Sequence, residues 1–141
     1  MIPEKCRIFR SEKNIVLKEN NKTIRIDNAD LSNLETIRVD GCVITNKTAC
    51  DFAVFNTDCG ALIELKGCNV ERAIQQLVET HDYFKSARPS HTIKRGYIIS
   101  SRVPSFPTSM RKLKETFRKT KMKINMKTRI LEISSSAIFG S

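Results

Sequence analysis

A chain of 141 residues with 40% hydrophobic and 28% charged content has the size and balance of one domain around a single core, with no room for a second catalytic domain. No run approaches the roughly twenty apolar residues of a membrane span, and Met1–Lys5 lacks the apolar centre of a secretory leader, so a cytoplasmic protein is expected. The formal charge of +10 lies wholly in the second half: through Asn69 ten Lys and Arg meet ten Asp and Glu, whereas from Val70 onward fifteen meet five.

In chain order, Asn14–Lys18 and Thr23–Asp27 flank Glu19-Asn20-Asn21-Lys22 and predict an N-terminal hairpin that extends the sheet or shapes a dimer. Asp30–Thr36 reads as a short helix and Ile37–Ile44 as the first strand of a meander. Asp51–Asn56 and Ala61–Lys66 alternate with period two around a turn-rich stretch, a second hairpin. With Thr57–Gly60 as its loop, Ala53 lies opposite Glu64 and Asp51 opposite Lys66, all on one face; Phe52, Val54, Ala61, Ile63 and Leu65 form an apolar face for the core. A charged residue inside an apolar strand is costly to bury without a partner or a metal, so Asp51, Glu64 and Lys66 converge as a candidate site.

Asn69 is an N-cap for a helix from Val70, whose apolar face runs through Ala73, Ile74, Leu77, Val78, His81 and Phe84. After Pro89, Lys94–Ser100 reads as a strand reached by a crossover. Thr108–Lys123 predicts a basic amphipathic helix with Met110, Leu113, Phe117 and Ile124 along its apolar side. Lys127–Ile133 reads as a late edge strand, and Ile138 and Phe139 sit in a small-residue tail that docks or frays. Five cysteines, Cys6, Cys42, Cys50, Cys59 and Cys68, form an odd set without a CxxC pair, so reduced thiols are expected. Their spacing does not suit structural zinc.

Asp51 followed by Glu64-x-Lys66 on the next strand resembles the PD-(D/E)xK nuclease superfamily, the restriction-endonuclease-like fold that includes Holliday-junction-resolvase-like and defence nucleases. Cys50 stands where that family carries proline. The resemblance implies an α/β fold with a mixed central sheet, a three-stranded meander, a helix and a further strand. On that plan residues 1–30 are a hairpin extension, 31–103 the core and 104–141 a basic helix and strand. It further implies that Asp51 and Glu64 ligate Mg²⁺ or Mn²⁺ and that Lys66 orients or activates the attacking water. Carboxylate oxygens suit hard divalent ions, and positive charge offsets the developing phosphorane. Gln75 and Gln76 are accessory candidates, because one branch of the superfamily carries a glutamine on this helix; Tyr83 does not have the spacing of that motif's tyrosine. Glu35 is the nearest glutamate upstream of the meander.

Between Lys94 and Arg129 twelve basic residues accompany one acid, Glu115. Lys94, Arg95, Arg102, Arg111, Lys112, Lys114, Arg118, Lys119 and Lys121 are the candidate nucleic-acid contacts, of the phosphate kind that gives affinity without sequence readout. By resemblance the substrate is DNA rather than RNA. So short a chain is expected to work as a homodimer or as a subunit of a larger assembly. Two other readings stay open: a nucleic-acid-binding protein that does not cut, and a module whose basic helix docks an acidic protein.

Overall fold

The computed structural model describes residues 2–65, 69–102 and 106–140, without the side chains of 106–110. Two sheets organise them. After a 3-10 turn at Glu4–Cys6 come β1 (Arg7–Arg10), β2 (Asn14–Glu19), β3 (Lys22–Asp27), β4 (Leu34–Arg38), β5 (Phe52–Phe55) and β6 (Cys59–Glu64). Then follow α1 (Val70–Ala87), β7 (Thr92–Ser100), α2 (Phe106–Thr120), β8 (Lys123–Thr128), β9 (Ile130–Ser134) and α3 (Ser135–Phe139). The central sheet has the order β1-β4-β5-β6-β7-β8; it is antiparallel from β1 to β6 and parallel from β6 to β8. A smaller sheet, β2-β3-β9, pairs β3 with β9 in parallel. The fold is therefore mixed α/β with a mixed central sheet.

Both faces of the central sheet are covered. Ala53, Phe55, Leu62 and Ile98 pack under α1 with Ala73, Ile74, Leu77 and Phe84, and Leu113 of α2 joins them. On the other face Val54, Ala61, Ile63, Leu65, Tyr97 and Ile99 meet Ile15, Leu17, Ile24 and Ile26 of the small sheet and Ile138 of α3. Parallel strands demand such two-sided cover, since their helical crossovers must lie on a face. Asn69 caps α1 as its side chain predicts, its Oδ1 accepting the Arg72 N–H at 3.1 Å.

Several expectations change. Asp30–Thr36 is not a helix, and the first meander strand is Leu34–Arg38 rather than Ile37–Ile44. Leu34, Glu35, Thr36 and Ile37 are all buried, so this strand lacks the alternation that betrays a half-buried one. Beyond it the chain turns at Gly41 (φ 78°), with the Val39 carbonyl accepting the N–H groups of Cys42, Val43 and Ile44. The N-terminal hairpin does not extend the central sheet; it pairs instead with β9. The late strand is two strands, because Arg129 at φ 66° turns the chain from the edge of one sheet into the other. The tail docks as α3, capped by Ser134.

The cysteines depart from the expectation of uniform thiols. Cys6 and Cys42 form a disulfide that ties the first 3-10 turn to the bend after β4, while Cys50 and Cys59 carry free thiols. Among the described residues no helix is long and apolar enough to cross a membrane.

Candidate functional site

The β5–β6 hairpin brings the two acids closer than the expected register does. Phe52 pairs with Ile63, Ala53 with Leu62 and Phe55 with Gly60, a register that, continued one step beyond its last pair, points Asp51 toward Glu64 rather than Lys66. Ala53 faces Leu62, not Glu64. The shift is two residues, which preserves the faces because side chains alternate with period two. Its cause lies in the turn. Asn56 Oδ1 accepts the N–H groups of Asp58 (2.9 Å) and Cys59 (2.7 Å), and the Asn56 N–H donates to the Cys59 carbonyl (2.9 Å), closing the hairpin before Gly60. Gly60 then lies in the strand beneath Phe55, whose ring edge would collide with a Cβ at that position.

Asp51 and Glu64 are 4% and 1% exposed. Asp51 Oδ2 accepts the Leu65 N–H at 2.8 Å, so the acid at the start of β5 is fixed to the chain just past the end of β6. Lys66 lies outside the described residues. Cys50 is packed within electrostatic reach of both acids. Burial pushes its thiol up to about 12; the Thr80 hydrogen bond opposes this, and the charges of Glu64 and Asp51 reinforce it. That thiol is fully protonated at neutral pH and unfit as a nucleophile.

The accessory glutamines separate. Gln76 Nε2 donates to the Ala49 carbonyl at 3.1 Å, beside the acid-bearing strand. Thr80, one turn on, accepts the Cys50 N–H at 2.9 Å and donates to the Gln76 carbonyl at 2.7 Å. Gln76 and Thr80 thus hold the segment from Ala49 to Asp51 against α1. Gln75 is exposed and lines a groove between α1 and α2 together with Lys112 and Lys119. Thr80 escaped the sequence reading, although its i,i+4 spacing from Gln76 was the available signal.

Glu35 takes no part in this cluster. It accepts a two-pronged pair from Arg88 (2.6 and 2.8 Å) and a third bond from Arg7 (3.1 Å), which joins β1, β4 and the end of α1. Burial alone would raise its pKa, but the hydrogen bonds and charge of Arg88, then those of Arg7, hold it below its ordinary 4.5. Arg88 also stacks over Phe55, 4.7 Å from the ring centroid.

The basic candidates scatter. Arg102 is exposed just beyond β7, at the end of the sheet that carries the acids. Arg111, Lys112, Lys114, Arg118 and Lys119 are exposed along α2. Lys94 and Lys121 line a concavity at the opposite end. Arg95 is not a free surface cation: its Nη1 donates to the carbonyls of Ile138 (2.9 Å) and Gly140 (2.7 Å), clasping α3. Phe117, expected on the packed side of α2, is 50% exposed, and Thr116 is buried instead.

Among the described residues no three His, Cys, Asp or Glu side chains gather as a metal-binding group. A carboxylate pair remains compatible with Mg²⁺, which takes one or two protein carboxylates and completes its shell with water and substrate phosphate. No family model, curated protein or solved structure matches this chain.

Proposed function

We propose that the chain is a metal-dependent nuclease with a restriction-endonuclease-like core, hydrolysing phosphodiester bonds of nucleic acid, DNA in the first instance. The observation that carries this reading is the bond from the Leu65 N–H to the Asp51 carboxylate, which sets one buried acid beside the peptide that follows the other, Glu64, at the end of the central sheet. The order meander, helix, parallel strand supports the same core. Asp51 and Glu64 would hold Mg²⁺ or Mn²⁺, and Lys66 would orient the attacking water. A bound divalent ion there supplies a more acidic water and neutralises phosphate charge. The Leu65 N–H fixes the rotamer of Asp51, and Gln76 and Thr80 fix the backbone that carries it. Arg102, exposed at that end, and the exposed cations along α2 would contact the phosphate backbone.

A second reading, binding without cleavage, is favoured by one observation: the deep burial of both carboxylates. Incubating the protein with supercoiled DNA, single-stranded DNA and RNA, in Mn²⁺ or in EDTA, separates the two. Cleavage in Mn²⁺ that disappears in EDTA and in Glu64→Ala and Lys66→Ala supports the nuclease. Binding by all three proteins with no cutting by any supports the second reading.

A further inference from the structure

We propose that the concavity at the end of the central sheet away from Asp51 and Glu64 binds unpaired nucleotides, a base stacking on Phe117 and the phosphates meeting Lys85, Lys94, Lys121 and Lys123. The site rests on the nucleic-acid part of the reading above and is independent of cleavage. Its volume is about 570 Å³, within the range of small-ligand pockets. No acid is among the described residues that line it. Four lysines around one hollow repel one another, and a polyanion relieves that repulsion.

Two local irregularities place lysines here. The β6–β7 ladder passes from Gly60–Ile93 to Ala61–Arg95, so Lys94 is the extra residue of a bulge, released from the alternation that governs its neighbours. Lys121 closes α2 at φ 64°, its N–H donating to the Phe117 carbonyl at 2.8 Å. Glycine is the ordinary occupant of that left-handed cap, and a side chain there is a strain. Both positions put a long cation on the rim where regular structure or a smaller residue would not.

Phe117 decides the ligand class. Its half-exposed ring borders this hollow and also the adjoining groove of Leu113, Lys114 and Ile124, and Lys123 lines both. The result is a track of cations broken by one aromatic face, the construction used for single strands, whose bases are free to stack. A duplex hides its base faces and gains nothing from the ring. The strand residues that line the hollow, Thr92 to Arg95, stand opposite Cys59 to Ala61, about 10–17 Å along β6 from Glu64 at roughly 3.3 Å per residue. The site would therefore hold the strand flanking a cleavage point rather than the scissile phosphate.

The test is fluorescence anisotropy with the full chain in EDTA, using labelled single-stranded DNA and RNA of one sequence and the matching DNA duplex. Phe117→Ala should weaken binding of at least one single strand about 5- to 150-fold, the span of one lost base–aromatic stack, with duplex binding unchanged and Phe117→Trp restoring it. Lys121→Gly should lower the slope of log affinity against log salt by about 0.7 while raising Tm, because it removes a phosphate contact and relieves the cap. Unchanged single-strand affinity in Phe117→Ala, or an unchanged salt slope in Lys121→Gly, overturns the proposal even if the wild type cuts. Loss of strand binding in Phe117→Ala by a protein that never cuts upholds it and overturns only the nuclease.

Discussion

Asp51 Oδ2 accepts the backbone N–H of Leu65 at 2.8 Å, so the first residue of the acid pair is bonded to the peptide that follows the second. The Asp51 carboxylate is therefore held in place by main chain beside the buried Glu64 rather than left to side-chain rotation. Such preorganisation is what a metal site needs, because the cost of gathering the ligands is met in folding.

The metal assignment predicts a linkage. Mn²⁺ at a hundredfold excess over its Kd should raise the Tm of the wild type by about 5–10 °C, and Glu64→Gln should abolish that rise while remaining folded. Thermal denaturation with and without Mn²⁺ checks this. An equal rise in the variant places the ion elsewhere.

Glu35 predicts the acid limb of stability. Its folded pKa lies below the ordinary 4.5, so the stabilisation it provides is complete above that value and is lost as pH falls through the folded pKa. Urea titrations from pH 6 to pH 3 should show wild type and Glu35→Gln converging. Arg88→Ala at pH 7 should cost about 3 kcal/mol, since among the described residues it leaves the buried carboxylate with Arg7 as its remaining cation.

Cys50 predicts the alkaline limb. Its folded pKa of about 12 exceeds the ordinary 9.0, so its contribution is intact below pH 9 and declines as pH rises from there toward 12. Cys50→Ala should lose less stability than wild type between pH 8 and pH 10.5. In the native protein at pH 8, mass spectrometry after alkylation should find Cys50 protected and Cys59 the more readily labelled of the two.

The disulfide closes a separation of 36 residues, and its removal should cost about 2–4 kcal/mol. Cys6→Ala/Cys42→Ala and wild type in excess dithiothreitol should give matching urea midpoints, both below that of the oxidised protein.

Gly60→Ala should destabilise by about 1–3 kcal/mol, because Phe55 is wedged between Gly60, Phe84 and Arg88 and has no room to yield. Differential scanning calorimetry reads the loss.

The residues that spoke for themselves were those whose role is local. Asn69 announces α1, and the alternation from Phe52 to Leu65 announces a hairpin whose apolar face is the one observed. The register was not legible, because the side-chain bonds of Asn56 and the ring of Phe55 over Gly60 decide it, and both depend on three-dimensional closure. Nor was β4, whose burial on both faces erased its pattern. Of the candidate site, Asp51 and Glu64 stand out in the sequence as charges within apolar strands, but the bond from the Leu65 N–H to Asp51 could not be foreseen. The partner of Arg95 could not be foreseen either, since α3 lies more than one element away in the chain. Phe117 reads as core on a helical wheel, and only the seating of α2, with Thr116 turned inward, exposes it.

The pairing of Thr23 with Ile130 and of Asp27 with Ser134 has a consequence for biosynthesis. A hairpin made early by the ribosome must wait, one edge bare, until nearly all of the domain has been translated. Contacts so distant along the chain slow folding and leave a sticky edge in the meantime. A nascent-chain series arrested before residue 130 should therefore be the stage most dependent on chaperones.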